Sequence, residues 1–244
     1  MRYFGGKTRT CKEISVFLES IRKPNQIFLS PFVGGGWIES LMKEPKICSD
    51  KHRYLIAMYK ELQNGWMPPK QLSKEEYEYI KNHKDEKSYL TGFVGFGCSF
   101  AGKWFGGYAK DNSKRNYCLN AYRSILQKMK GFKTTQFECN DYRNLKPQNT
   151  LIYCDPPYCG TTQYDKQIVG NFDHQEFWNI MKKWSKNNTV IISEYTAPSD
   201  FQCVWSKNVK LDIRDKNNSK MPRIEKMFAV KGFQFYQSPN IFSA

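Results

Sequence analysis

The sequence has few histidines, no long apolar run and no cysteine pattern that would bind a metal. Its 244 residues include only three histidines. The eight cysteines form no Cys-x-x-Cys pair and no Cys/His cluster with the spacing of a zinc site. We therefore expect no metal site, and we expect thiols that are reduced and mostly buried.

Membrane and secretion signals are also missing. No apolar segment approaches the roughly 20 residues that are needed to cross a bilayer. The first nine residues lack the apolar stretch of a secretory signal. These absences predict a cytoplasmic protein without a membrane partner.

Basic residues are abundant. Lysine and arginine number 38 against 23 acidic residues, a formal net charge of +15. Such a field attracts polyanions, and the 16% of aromatic residues provide rings that can stack on bases. Charge alone favours a nucleic-acid partner only weakly, since many proteins are basic for other reasons. The 40% of hydrophobic residues excludes a disordered chain.

The first 63 residues follow the order of a βαβ unit. Apolar periodicity predicts helices and strands in alternation, and a glycine turn separates the first strand from a helix. Asp50 ends the second strand, where it can accept hydrogen bonds from a ribose or cap the next helix. The predicted elements are a helix at 8–20, a strand at 26–30, a glycine turn at 31–36, a helix at 37–43, a strand at 46–49 and a helix at 51–63. This order predicts an α/β fold with a mostly parallel sheet.

Residues 64–132 differ in character from the segments around them. We predict helices at 73–82 and 114–130, with an aromatic, glycine-rich stretch at 92–108 that has no clear period. The second half resumes the sheet, and Asp173 with Glu176 predicts the start of a helix. The predicted strands are 135–139, 150–154, 189–194, 202–206 and 225–230. We therefore predict a catalytic domain at 1–63 and 133–244 that is interrupted by an insert at 64–132.

The most specific motif is Asp155-Pro156-Pro157-Tyr158, which follows the apolar strand at 150–154. The carboxyl end of such a strand faces the ligand crevice of an open α/β sheet. The two prolines stiffen the backbone and remove N–H donors, which leaves carbonyl acceptors beside the Asp155 carboxylate. These acceptors suit the two hydrogens of an aromatic amino group, and Tyr158 offers a ring face. The simpler interpretation is a tight turn with Asp155 as a cap.

This geometry suits methylation of a nucleobase amino group. The amino lone pair is delocalised into the ring, and hydrogen bonds that draw the N–H groups out of plane would localise it. A sulfonium methyl donor is already activated, so catalysis would depend on positioning and local electrostatics.

In these motifs and their order, the chain resembles the Dam-type family of adenine-specific DNA methyltransferases, in the small form common in phages. The resemblance covers nearly the whole chain. The matching segments are Arg2 to Lys7, Pro31-Phe32-Val33-Gly34-Gly35-Gly36, Asp50, Asp155 to Tyr158, Asn171 to His174 and Ile192 to Tyr195. The resemblance implies a Rossmann-like fold, S-adenosylmethionine as cofactor and a flipped adenine in double-stranded DNA as substrate.

The resemblance also implies roles for single residues. Asp155, Pro156, Pro157 and Tyr158 would be catalytic. Asp141 would accept a hydrogen bond from the cofactor adenine, and Tyr142 would pack on that ring. The residues implied in cofactor binding are Tyr3, Gly6, Lys7, Pro31, Phe32, Gly34, Gly36, Asp50, Asp141, Tyr142 and Asp155. Ser30 departs from the family, which has an acid before Pro-Phe, so another residue would have to steady the cofactor's ammonium group.

The insert is predicted to be a mainly helical DNA-recognition domain. Its basic and aromatic residues offer phosphate contacts and stacking surfaces, and its glycine-rich loop can wedge into the space that a flipped base leaves. The predicted DNA-binding residues are Lys7, Lys103, Trp104, Tyr108, Lys110, Lys114 and Arg115, and a basic stretch at 207–223 is a second candidate edge. The alternative is a packed loop with a solvated basic rim.

Four other functions stay open at this stage. An amino-methyltransferase could act on cytosine in DNA, on a base in RNA or on a protein glutamine. The Asp of Asp-Pro-Pro-Tyr favours adenine, since the family's relatives with cytosine or glutamine substrates more often have Ser or Asn there. A DNA-binding relative without catalysis is the other class. We expect a monomer or weak dimer acting on DNA in a bacterial cell.

Overall fold

A seven-stranded sheet forms the centre of the protein, for which we have a computed structural model. The structure describes residues 1, 3–110, 115–159, 166–214 and 220–235, without the side chains of 166–167, 210–214 and 220–223. The strands are β1 (Ile27–Ser30), β2 (Lys46–Asp50), β3 (Gln136–Cys139), β4 (Thr150–Cys154), β5 (Thr189–Ser193), β6 (Phe201–Arg214) and β7 (Lys220–Val230). The helices within the described ranges are α1 (Cys11–Ile21), α2 (Arg53–Gln63), α3 (Lys74–Asn82), α4 (Ser88–Gly97), α5 (Tyr117–Met129), α6 (Lys166–Val169) and α7 (His174–Trp184).

The strand order is β3-β2-β1-β4-β5-β7-β6. The first five strands in this order are parallel to one another, and β7 runs antiparallel between β5 and β6. The prediction of an α/β fold with a mostly parallel sheet is confirmed.

Helices cover both faces of the sheet, because the central strands are apolar on both sides. Along β4, Leu151 and Tyr153 belong to the cluster that contains the apolar residues of α1. The alternate residues, Ile152 and Cys154, belong to the cluster that contains Phe177 of α7. This alternation follows from the two-residue period of a strand.

The predicted start of α7 is confirmed. The Asp173 side chain accepts a hydrogen bond from the backbone N–H of Glu176 at 2.9 Å, which satisfies one of the free donors at the helix start. In contrast, the helix predicted at 37–43 is wrong: only a short 3₁₀ turn, Glu39–Leu41, forms there. The buried ammonium group of Lys46 donates hydrogen bonds to the backbone carbonyl groups of Glu39 and Met42. A longer helix would use these carbonyl groups in its own backbone hydrogen bonds.

The stretch at 92–108 contains a helix that its sequence does not signal. Residues 88–97 form α4, which lies against α2. A Cβ atom at Gly92 would collide with the backbone of Tyr54 in α2, and one at Gly95 would collide with the Trp104 ring. Close packing therefore outweighs the weak helix propensity of glycine.

The helices predicted at 73–82 and 114–130 are confirmed as α3 and α5 within a few residues. Side chains of α4 and α5 share one cluster with α2, including Leu55, Met58, Phe93, Phe96 and Ile125. The insert thus packs on α2 through a common core. The predicted domain boundaries at 63 and 133 stay predictions.

Strands β6 and β7 are longer than predicted. They form an antiparallel ladder that extends from Phe201↔Val230 to Arg214↔Lys220. The outer part of this ladder carries the basic stretch predicted as a second DNA edge; Lys216 lies outside the described residues, and the side chains of Arg214 and Lys220 are not described. Across the described ranges, every helix falls short of the length and apolarity that a bilayer crossing requires.

Candidate active site

The order of the strands locates the ligand crevice. β1 pairs with β2 on one side and with β4 on the other, so the direction in which the chain adds strands reverses between β1 and β4. Ligands of open α/β sheets bind at the carboxyl ends of the strands at such a point. The segments that begin there are the glycine loop after Ser30 and the turn after Cys154.

A cleft of about 1090 Å³, including its open mouth, lies at this point. Every residue that was predicted to bind the cofactor lines it: Tyr3, Gly6, Lys7, Pro31, Phe32, Gly34, Gly36, Asp50, Asp141, Tyr142 and Asp155. Residues separated by more than 150 positions therefore meet in one cavity.

The glycine loop is held in an unusual backbone conformation. Gly34 and Gly36 have φ values of 46° and 63°, in the region that favours glycine. A Cβ atom at Gly36 would lie 2.8 Å from the Tyr59 hydroxyl oxygen. That hydroxyl donates a hydrogen bond to the Gly34 carbonyl at 3.0 Å. The loop thus keeps its backbone at the wall of the cleft.

Asp50 fixes the same loop from the end of β2. Its carboxylate accepts hydrogen bonds from the backbone N–H groups of Gly34 at 3.0 Å and of His52 at 2.9 Å. Asp50 does not cap α2, because the cap is the side chain of His52, which accepts from the N–H of Leu55. Burial raises the pKa of Asp50 to about 6. A carboxylate has about four lone-pair sites, so Asp50 keeps acceptor capacity toward the cleft.

Aromatic rings form another wall. The rings of Phe32 and Tyr142 lie 5.2 Å apart between centroids, and Phe172 lies 5.8 Å from Tyr142. All three line the cleft, and their faces and edges suit a planar ring.

Asp141 has charged partners that the sequence did not reveal. Its carboxylate lies 2.6 Å from a guanidinium nitrogen of Arg143 and 3.0 Å from the ammonium nitrogen of Lys51. Hydrogen bonds from Arg143 and the positive charge of Lys51 lower the pKa of Asp141. Both cations line the cleft. The predicted contact of Asp141 with the cofactor adenine stays a prediction.

The turn after β4 meets the N-terminal segment. The Lys7 ammonium nitrogen lies 2.9 Å from Asp155 Oδ1 and 3.8 Å from Glu225 Oε2. Burial alone would lower the pKa of Lys7, but the neighbouring carboxylates and Tyr153 raise it on balance. Lys7 is therefore a permanent cation that fixes one oxygen of Asp155.

Asp155 and Pro157 line the cleft, whereas Pro156 and Tyr158 are outside its described lining. Tyr158 is only 7% exposed. Its hydroxyl lies 2.7 Å from Ser193 Oγ, and the Lys7 ammonium lies 4.5 Å from the centre of its ring. The structure thus does not present the open stacking face that was predicted for Tyr158, because the ring is enclosed by partners distant in sequence.

Glu194 supports the same turn. Its carboxylate accepts hydrogen bonds from the backbone N–H groups of Cys159 at 3.3 Å and Tyr195 at 2.9 Å. Burial raises the pKa of Glu194 to about 7. The segment Ile192 to Tyr195 was matched to the family in the sequence, but the contact of Glu194 with the turn was not foreseen.

The described DNA-binding residues that were predicted in the insert are not among the residues that line the cleft. Lys103, Lys110 and Arg115 are exposed. The Tyr108 hydroxyl donates a hydrogen bond to the Leu72 carbonyl at 2.7 Å. Lys114 lies outside the described residues.

Trp104 is half-buried, and its ring packs against aromatic rings on several sides. Its centroid lies 4.2 Å from that of His52, 4.8 Å from that of Phe96 and 5.5 Å from that of Tyr54. This packing makes Trp104 a structural residue of the insert rather than the free stacking surface that was predicted.

Sequence reasoning missed Glu39, a buried acid that lines the cleft. It lies in the segment 37–43 that was predicted to be a helix, and its only signal in the sequence is a carboxylate directly after apolar residues. The described part of the chain holds no group of three or more metal-ligating side chains that could bind an ion.

Comparisons with known proteins find two similarities that cover most of the chain. Residues 3–95 and 99–221 match the family model for D12 class N6 adenine-specific DNA methyltransferases. The chain is also 24% identical over 229 aligned residues to the Type II methyltransferase M.CviBI of Paramecium bursaria Chlorella virus NC1A, in an alignment that covers 79% of this chain and 81% of that protein.

Proposed function

Because this chain belongs to the family of D12 class N6 adenine-specific DNA methyltransferases, we propose that it binds S-adenosylmethionine and a flipped adenine in the cleft between β1 and β4. Membership of this family shows that the chain is an enzyme that methylates adenine in DNA. The main support for placing both ligands in this cleft is that all of the predicted cofactor residues line it, including Asp155.

The residues of the cleft fit S-adenosylmethionine. This cofactor has no phosphate, and the glycine loop at Gly34 to Gly36 offers close backbone approach instead of a phosphate cradle. Asp50 suits the ribose hydroxyls, and the rings of Phe32 and Tyr142 suit the adenine. When bound, the cofactor supplies a methyl group that its sulfonium already activates.

The turn at Asp155 would receive the amino group of the target base. The Asp155 carboxylate and the Pro156 carbonyl accept its two hydrogens, and Lys7 holds the carboxylate in one orientation. This arrangement positions the amino nitrogen without a covalent enzyme nucleophile. Tyr158 supports the turn through Ser193.

Double-stranded DNA would lie over the basic surface of the insert. Phosphate contacts from Lys103, Lys110 and Arg115 would set the register of the protein on the duplex, and a loop of the insert would occupy the space of the flipped base. We propose that 64–132 is the recognition unit and that the protein acts as a monomer or weak dimer.

Methyl transfer from labelled S-adenosylmethionine to double-stranded DNA, followed by nucleoside analysis, tests this proposal. We expect the label in N6-methyladenine. Label in N4-methylcytosine, or in RNA but not in DNA, would contradict the base assignment. Parallel titration of the cofactor analogue S-adenosylhomocysteine against wild type and an Asp50→Ala variant tests the cleft as the binding site, since only the variant should bind weakly.

A further inference from the structure

Glu39 places a buried carboxylate in the wall of the cleft. The residue is 3% exposed and belongs to the cleft lining. Its Oε1 atom accepts a hydrogen bond from Ser30 Oγ at 2.9 Å. Ser30 ends β1, so this bond connects the acid to the strand that leads into the glycine loop.

This carboxylate has no cationic partner at ion-pair distance among the described residues. Lys128 acts on this carboxylate electrostatically, but its ammonium group donates to the Gly35 carbonyl and lies 4.3 Å from the Trp37 ring centre. The Lys46 ammonium group donates to the backbone carbonyl of Glu39, not to its carboxylate. Burial raises the pKa of Glu39 to about 7. A buried carboxylate without a paired cation is unfavourable.

We propose that Glu39 binds the ammonium group of the methionine part of S-adenosylmethionine. This inference rests on the proposed function of the cleft. The cofactor has two cationic centres, and only the ammonium can donate hydrogen bonds to a carboxylate. Glu39 follows the glycine loop by three residues, next to the backbone that would approach the methionine part.

The identity of residue 30 also supports the assignment of Glu39. It stands where the resemblance led us to expect an acid, and its hydroxyl orients the carboxylate of Glu39. The acidic group is thus supplied by a residue nine positions later and reaches the same end of β1.

Calorimetric titration of the full chain tests this role with three ligands: S-adenosylmethionine, S-adenosylhomocysteine and 5′-methylthioadenosine, which lacks the amino-acid part. Glu39→Gln keeps the size of the side chain and a hydrogen bond to Ser30. We expect it to weaken binding of the first two ligands by about 10- to 100-fold, the effect of one charged hydrogen bond. Binding of 5′-methylthioadenosine should stay unchanged.

The double variant Ser30→Asp/Glu39→Gln moves the charge back to the end of β1. We expect it to recover most of the affinity for S-adenosylmethionine; affinity as low as in Glu39→Gln would count against the role of the charge. The unliganded Glu39→Gln protein should melt at or above the wild-type temperature at pH 8, because it lacks a buried unpaired charge.

Two outcomes would overturn the inference and leave the proposed function intact. One is unchanged binding of S-adenosylmethionine by Glu39→Gln. The other is an equal loss of all three ligands, which would identify Glu39 as a structural residue. Failure of the wild type to bind any of the three would instead contradict the proposed function of the cleft.

Discussion

Lys7 and Asp155 are 148 residues apart in the sequence, yet the Lys7 ammonium nitrogen lies 2.9 Å from Asp155 Oδ1. The lysine is nearly inaccessible, whereas the aspartate side chain is 22% exposed toward the cleft. One carboxylate oxygen is therefore fixed from within the protein, and the group still faces the space assigned to the base. A short, buried ion pair of this kind orients a carboxylate more tightly than a solvated pair does.

Replacement of Asp155 by alanine should abolish methyl transfer, with a loss of at least about 100-fold in kcat, because the main acceptor for the amino group disappears. DNA binding should stay within a few-fold of wild type, since the phosphate contacts proposed for the insert do not involve this residue. Labelled-methyl transfer and fluorescence anisotropy measure the two effects. Asp200→Ala, which removes an exposed aspartate paired with Lys182, is the matched control, and normal turnover by Asp155→Ala would remove the mechanism.

Tyr158→Phe should retain methyl transfer within a few-fold. It keeps the ring beneath Lys7 and removes only the hydroxyl that contacts Ser193 at 2.7 Å. Its free energy of unfolding should fall by about 0.5–1.5 kcal/mol, as measured by urea denaturation. Tyr158→Ala, which also removes the ring, should lose transfer.

A double-mutant cycle with Ser193→Ala separates the contributions. The combined Tyr158→Phe/Ser193→Ala variant should be less destabilised than the sum of the single variants, because neither partner is left unsatisfied. Additive losses would show that the two hydroxyls do not interact.

The sequence predicted the core of the site because its determinants are local. An apolar strand followed by Asp155-Pro156 predicts a turn at the carboxyl end of a strand, and parallel strands align their carboxyl ends at one edge. The β1–glycine loop and Asp50 follow the same logic. For this reason the predicted cofactor residues reached one cleft without any knowledge of tertiary contacts.

Other features depend on contacts between distant residues. The helix α4 exists because Gly92 lets it approach α2, which glycine content alone does not reveal. Tyr158 is covered by Lys7 and Ser193, so its exposure could not be predicted from the turn that carries it. Glu39 lies in the cleft because its carboxylate is held by Ser30 and because a short 3₁₀ turn replaces the predicted helix.

Cofactor affinity should rise with pH between about 5.5 and 8. The pKa of Asp50 is raised to about 6 and that of Glu39 to about 7, both by burial. A raised pKa means that the free protein holds these protons at low pH, and the protons must leave before the carboxylates can bind the cofactor as anions. Calorimetry across this range should show that the affinity for S-adenosylmethionine rises as the pH passes each of the two pKa values.

The Glu39→Gln variant should lack the part of this dependence near pH 7 and keep the part near pH 6. Binding of 5′-methylthioadenosine to wild type should resemble that variant, because this ligand reaches Asp50 but has no ammonium group. Affinity that is constant from pH 5.5 to 8 would show that neither carboxylate takes part.

DNA affinity should depend steeply on salt, and residues of the insert should account for part of the slope. Each phosphate contact changes the slope of log K against log[salt] by about 1. Lys110→Ala and Arg115→Ala remove exposed charges of the insert, so each should weaken binding to all sequences and lower the slope by about that amount. Sequence preference should persist, since phosphate contacts do not read bases.

Lys183→Ala is the control: this exposed lysine lies at the end of α7 that leads into β5, at the sheet edge opposite the cleft. If the control lowered the slope as much as Arg115→Ala, or if wild-type affinity did not respond to salt, the insert would not be the surface that holds the duplex.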